Sequence, residues 1–230
     1  FFDVARRTCP CKLAPHAHWI DVTRAATSLR IGCSRRMLLS VLLALLPAEI
    51  ERVIVEEELT GAVWSTIASD GAVSVGAAGL KHAGTGEALR TDDRVHIGSV
   101  TKTVLAAGIL RLVTERRFTL DTPVSELLPE VTFDNPWSAT DPVRVRHLLD
   151  HTAGLDDARL WQVFSLRPTP DTSLAEAFAG DPSLLRIRSR PGTRFSYSNM
   201  GYTLLGMLIE SATRERYERY LDDHLLRPLA

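Results

Sequence analysis

His96-Ile-Gly-Ser99-Val-Thr-Lys102-Thr-Val-Leu-Ala-Ala-Gly-Ile-Leu-Arg-Leu-Val113 is the stretch that decides how this chain is read. Its apolar positions Val100, Val104, Leu105, Ile109, Leu110, Leu112 and Val113 predict a largely buried helix from Ser99 to about Arg117. Arg111, Glu115, Arg116 and Arg117 gather near its end, and Ser99 stands at its start. Three residues along a helix return almost one full turn, so the Lys102 ammonium comes over the Ser99 hydroxyl. A serine hydroxyl is a poor nucleophile until a neighbouring base accepts its proton. A buried lysine can do so, because burial and the positive helix end both disfavour the ammonium. Arginine cannot take that role. The chain has 24 Arg and only 3 Lys, so one of its few lysines stands where a deprotonable cation is needed. The competing reading is a surface lysine beside an N-cap serine, which is the commoner meaning of an isolated Ser-x-x-Lys.

Downstream, Phe195-Ser196-Tyr197-Ser198-Asn199 follows Pro191-Gly192-Thr193 and precedes an apolar helix. A phenol beside an ammonium releases its proton more readily and can serve as general base for a serine, later returning the proton to the leaving group. The Asn199 amide can orient Lys102 and a substrate carbonyl. Taken alone, Tyr-x-Asn is more often a core tyrosine at a loop-to-helix junction; its weight comes from being paired with Ser99.

Between these lies Val143-Arg-Val-Arg-His147-Leu-Leu-Asp-His151-Thr-Ala-Gly154-Leu155. His147 and His151 stand at i and i+4 and could ligate a metal, but the order is His-Leu-Leu-Asp-His rather than His-Glu-x-x-His. A structural role is expected for both, with His151-Thr152 closing a helix before Gly154.

The rest of the chain is organised around these stretches. Pro47 suits a first helical position, and Ile50, Val53, Ile54 and Leu59 recur at helical spacing among Glu49, Glu51, Arg52, Glu56 and Glu57, predicting an amphipathic helix that ends before Gly61. Residues 62–69 and 72–78 flank Asp70-Gly71 and predict two antiparallel strands. Further helices are expected at Val145 to Leu149, Asp157 to Phe164, Ser173 to Phe178, Met200 to Ile209 and Arg214 to Leu226, with a loop at Pro191-Gly192. No further strong strand is expected.

Residues 1 to 46 form a basic leader. Up to residue 45 it holds seven basic and two acidic side chains, although the whole 230-residue chain carries a net charge of −1. Ser34-Arg35-Arg36-Met37-Leu38-Leu39 and the apolar run to Leu46 have the layout of a secretion signal or short membrane anchor, with no clear small-x-small cleavage site before Pro47. The bland alternative is that residues 38 to 46 extend the first helix. The folded domain is expected over residues 47 to 230, and export or anchoring is expected of the leader, with a cytoplasmic location left open. Cys9, Cys11 and Cys33 all lie in the leader, without a second pair of zinc-like spacing. Near-neutral charge and a mean hydropathy close to zero argue against an intrinsically disordered tail, a coiled coil and a bulk nucleic-acid binder.

Taken together, the three central stretches resemble the serine β-lactamase and penicillin-binding protein superfamily, in particular the branch of class C β-lactamases, D-alanyl-D-alanine carboxypeptidases and related serine esterases. Residues 96 to 130 look like that family's nucleophile helix and the segment after it, and residues 147 to 155 like its His-Leu-Leu-x-His-Thr-Ser-Gly-Leu signature, with Ala153 for Ser. The segment from Pro191 to Gly201 looks like its Tyr-x-Asn region. The resemblance runs from about Pro47 to Leu229 and implies an α/β (α+β) fold, a helical region plus an antiparallel sheet of which only the N-terminal strands are present. It implies Ser99 as acyl-accepting nucleophile, Lys102 as its proton partner, Tyr197 as general base and acid, and Asn199 as a substrate-orienting amide. No metal or other cofactor is implied, and the partner is a small-molecule or peptide substrate with an acyl carbonyl, whether amide, β-lactam or ester. The family's third motif, Lys-Thr-Gly or His-x-Gly, does not follow Tyr197, so the chain reads as an N-terminal fragment. Loss of one oxyanion donor costs about 10²-fold to 10³-fold in rate. A catalytically inactive relic acting as a binding or regulatory module is therefore the alternative. An α/β hydrolase is disfavoured, because Ile-Gly-Ser-Val-Thr is no Gly-x-Ser-x-Gly elbow.

Overall fold

The computed structural model describes residues 35–159, 169 and 171–229, with side chains from Leu45 onward. The three cysteines and the stretch 160–164 of an expected helix lie outside the described residues. The chain divides into two compact units at the Val95/His96 boundary.

The first unit opens with helix α1 (Arg35–Glu56), which carries Pro47 inside it. The expected start at Pro47 is thus corrected: residues 38 to 46 extend the helix. Proline's missing N–H and its ring disfavour this interior position without forbidding it. The helix closes where Glu58 turns left-handed and the Leu59 N–H reaches back to the Ile54 carbonyl at 2.9 Å. Among the described residues, no helix is long and apolar enough to cross a membrane.

Strands β1 (Gly61–Ile67) and β2 (Val73–His82) pair antiparallel, Gly61 opposite Gly79 and Ile67 opposite Val73. The link between them bends at Gly71, whose φ of 86° favours glycine, while the Asp70 carboxylate accepts the Ala72 N–H at 3.0 Å. Trp64 faces Gly76 across the pair, and a Cβ there would fall 2.2 Å from the indole, so only glycine leaves room for the ring. A third strand not expected from the sequence, β3 (Glu87–Ala88), adds to β2. With two residues, it is too short to carry a readable alternation.

The second unit is mainly helical. A single 3₁₀ turn at Gly98–Val100 leads into α2 (Thr101–Thr114), followed by the short helices α3 (Val124–Leu127) and α4 (Val145–Leu149). Two 3₁₀ segments, Leu174–Phe178 and Pro182–Leu185, precede α5 (Asn199–Thr213) and α6 (Tyr217–Leu221). Asp157 to Arg159 are irregular rather than helical. The last expected helix is also corrected at its start, because Arg214 has φ 63° and caps α5 instead of opening the next helix. Beyond α6 the backbone loosens into a π turn, Asp222–Leu226.

Helix α5 is the spine of this unit. Leu204, Leu205, Leu208 and Ile209 are essentially buried and join one core with Leu105, Ile109 and Leu112 of α2 and Leu148 of α4. Burial of each such side chain contributes about 1.5–3 kcal/mol. Because α2 and α4 both pack on α5, the N-terminal ends of α2 and α5 and the C-terminal end of α4 are held in fixed relation.

Candidate active site

Those three helix ends bring the expected residues together. Ser99 lies in the 3₁₀ turn at the mouth of α2, just after Gly98, whose φ is 53°. Lys102, one turn further, donates to Ser99 Oγ at 3.3 Å and to Asn199 Oδ1 at 2.6 Å. A 2.7 Å hydrogen bond joins Ser99 Oγ to Tyr197 Oη. The Lys102 ammonium lies 5.1 Å from the Tyr197 ring centroid and 5.5 Å from that of Tyr202, within range of their negative faces. Residues nearly 100 positions apart thus form one polar cluster of hydroxyl, phenol, ammonium and amide.

The segment carrying Tyr197 and Asn199 is positioned from below by the chain that follows α4. Ser198 is 3% exposed; its Oγ accepts the Gly201 N–H at 3.2 Å as the cap of α5 and donates to the Asp156 carbonyl at 2.8 Å. Asp157 accepts the Asn199 backbone N–H at 2.6 Å through Oδ1 and the Asn199 side-chain N–H at 3.2 Å through Oδ2. A carboxylate that takes the amide nitrogen leaves only the amide oxygen to face Lys102, so the orientation of Asn199 is determined.

The two histidines divide in role. His147 is buried, and its Nδ1 accepts the Arg144 N–H at 3.2 Å, closing the first turn of α4. His151 ends that helix: its φ is 58°, and the following Thr152 N–H bonds the His147 carbonyl at 2.9 Å. The His151 ring also packs on Tyr197, 4.5 Å between centroids, and on Tyr202 at 5.1 Å. Burial, and then the Lys102 charge, hold the His151 imidazole below its ordinary value, and burial does the same at His147. Burial pushes the Tyr202 phenol up, with Tyr197 and Asp150 adding to it, so Tyr202 remains a donor, to the Leu149 carbonyl at 3.0 Å. Neither histidine belongs to a metal-ligating group among the described residues.

Asp157, Tyr202 and the contact of His151 with Tyr197 were not anticipated from the sequence. Asp157 is the second of two adjacent aspartates, and only their partners separate them: Asp156 pairs with Arg159 and Arg188, Asp157 with Asn199. Tyr202 lies five residues after Tyr197 and reads as core.

A serine at a helix mouth, bonded to a tyrosine and a lysine within a mainly helical unit, in a chain that also carries an antiparallel sheet, is the arrangement of the serine β-lactamase and penicillin-binding protein folds. Residues 48–230 match the Beta-lactamase family model, and the chain belongs to that family. Over 137 residues the chain is 31% identical to protein flp of Staphylococcus aureus (strain MW2), covering 59% of this chain and 26% of that relative. It resembles the octameric penicillin-binding protein homologue of Pyrococcus abyssi, with a TM-score of 0.66 and 29% identity over 81% of this chain and 43% of that one. It also resembles the D-amino acid amidase of Ochrobactrum anthropi solved with D-phenylalanine, with a TM-score of 0.64 and 27% identity over 80% of this chain and 49% of that one. The chain therefore spans about a quarter of that curated relative's length and just under half of each of these structures.

Proposed function

We propose that this site performs serine acyl transfer on an amide, β-lactam or ester carbonyl, through an acyl-enzyme on Ser99. The observation that carries this reading is the 2.7 Å bond between Ser99 Oγ and Tyr197 Oη, with the Lys102 ammonium in contact with both the serine and the phenol ring. Ser99 Oγ attacks the carbonyl carbon while Tyr197 Oη takes its proton, and the adjacent ammonium balances the phenolate charge that accepted it. The tetrahedral centre then collapses, breaking the carbonyl C–N or C–O bond, and the leaving nitrogen or oxygen takes the proton from Tyr197. Water attacks the acyl-enzyme by the reverse route and releases the carboxylic acid. Asn199 holds Lys102 through Oδ1, and Asp157 holds the amide nitrogen. Similarity to a D-amino acid amidase supports the amide carbonyl in particular.

Intact-mass measurement of the whole chain after incubation with benzylpenicillin, an activated short-chain ester and a D-amino acid amide tests this. An added mass equal to the acyl group is expected, absent in Ser99→Ala. An adduct that survives in Ser99→Ala, or no adduct from a chain that circular dichroism shows to be folded, overturns it. In the latter case the family's helical scaffold serves binding alone.

A further inference from the structure

His151 is attached three times to the segment that carries Tyr197. Its carbonyl accepts the Ser196 N–H at 2.8 Å, its Nδ1 accepts the Ser198 N–H at 3.2 Å, and its ring lies 4.5 Å from the Tyr197 ring at an interplanar angle of 32°. Tyr197 is thus held through both chain neighbours and one ring face by a single residue. The imidazole is itself wedged: Tyr202 lies 5.1 Å away, and the ring of Phe195 meets it edge-on at 5.7 Å. A backbone N–H can only donate, so Nδ1 is the unprotonated nitrogen and the neutral ring carries its proton on Nε2.

We propose that His151 is a positioning residue for Tyr197: its neutral form holds the phenol over Ser99, and protonation at Nδ1 releases it. This rests on the reading of Ser99 as nucleophile. A proton on Nδ1 sets an N–H against the Ser198 N–H and adds a positive charge beside Lys102. The charged and titratable groups facing the ring are Lys102 on α2, Asp150 at the end of α4, Asp157 in the loop beyond it, and Tyr197 and Tyr202 before and on α5. Burial and Lys102 favour the neutral ring and the two aspartates oppose them; the balance lowers its proton affinity, so the released form belongs to solution more acid than the ordinary imidazole value.

Two substitutions test this role, and the first separates it from helix closure. His151→Asn tolerates the left-handed backbone and offers an amide oxygen to the Ser198 N–H, but does not titrate. His151→Phe keeps a ring against Tyr197 and removes the acceptor. The experiment follows acylation of Ser99 by intact mass in the full chain between about pH 5 and about pH 8.5, together with ¹⁵N NMR of the Ser198 amide and the Tyr197 ring signals. At neutral pH His151→Phe is expected to acylate about 10-fold or more slowly, the scale of a misplaced catalytic group, while His151→Asn stays within about 3-fold of the unmutated chain. The unmutated chain is expected to lose rate in acid with the same midpoint as the Ser198 amide shift, and His151→Asn to show neither change. An acid limb unchanged in His151→Asn, or an unmutated rate in His151→Phe, overturns the proposal. If the unmutated chain acylates at no pH, the Ser99 reading fails by itself. Positioning is then decided by NMR: Tyr197 signals that follow the His151 titration uphold it, and signals indifferent to it overturn it.

Discussion

Asn199 has two faces and two suitors. Lys102 needs an oxygen, Asp157 needs a donor, and the 2.6 Å and 3.2 Å contacts show each receiving what it needs from one amide. Asp157 also accepts the Asn199 backbone N–H in the first turn of α5, where a negative charge complements the helix dipole. In Asp157→Ala, the amide is free to rotate and Lys102 loses its fixed acceptor, so Ser99 acylation is expected to slow by about 10-fold, the scale of a mispositioned group. The core residues of α5 are untouched, and a helix-cap interaction of this kind is worth about 1 kcal/mol. Stopped-flow or mass-resolved acylation checks the first expectation and thermal melting the second; an unchanged acylation rate would show that Asn199 orients itself. At this scale the sequence displays residue type and local spacing. Ser99 and Lys102 are legible because one helical turn joins them, and Tyr197 and Asn199 because they share a short segment with a recognisable pattern. Asp157 is not, because its role depends on a contact across 42 positions, and nothing in Asp156-Asp157 says which of the two will make it.

Among the elements, α2 and α5 announce themselves because each carries an uninterrupted apolar face, and α4 is visible because Val145 and Leu148 fall on one side of a single turn. The segment between α4 and α5 is less legible. Gly154 has φ 80°, and a Cβ there would lie 2.3 Å from the Ser189 carbonyl oxygen, because the Arg188 N–H closes on the Gly154 carbonyl at 2.8 Å. Two backbones therefore meet at this point, and that approach holds the chain from His151 to Asp157 under the start of α5. Local propensity has no access to such a contact, which is why residues 157–159 read as the start of a helix and are irregular instead. Gly154→Ala combines a left-handed backbone with a steric overlap. We expect it to destabilise the chain by about 2 kcal/mol, or about 4–8 °C in Tm, and to slow acylation as well, since both Ser198 and Asn199 donate hydrogen bonds to the displaced segment. Differential scanning calorimetry with the mass assay checks this; a variant as stable as its parent would mean that the loop has another conformation of equal energy. Pro47 teaches the complementary lesson. A proline that suits a first helical position sits inside α1, because neighbouring residues of good helical propensity carried the helix through it.

At the scale of the whole molecule the second unit ties part of its stability to two imidazoles that burial keeps neutral. Two histidines accept backbone N–H groups at Nδ1, His147 from Arg144 and His151 from Ser198, and burial lowers the proton affinity of both. A histidine whose folded value lies below its unfolded value binds more protons when unfolded, so between those two values stability rises with pH and is lost as pH falls. The carboxylates act lower down. Arg190 and Thr140 hold Asp141 below the ordinary carboxylate value, and Ser183 hydrogen bonds do the same for Asp181, so what these groups contribute disappears only once the solution is acid enough to protonate them. Two separate losses are therefore expected as pH falls: a first below the ordinary imidazole value and a second below the ordinary carboxylate value. His147→Gln combined with His151→Asn keeps an acceptor at each position and removes both titrations, so Tm should be level from about pH 7.5 to about pH 5 in the double variant while it falls in the unmutated chain. The carboxylate loss should persist in both. Parallel melting curves against pH decide the matter: a double variant that declines with the unmutated chain would move the acid sensitivity away from the imidazoles, and with it the reason for placing a neutral histidine against Tyr197.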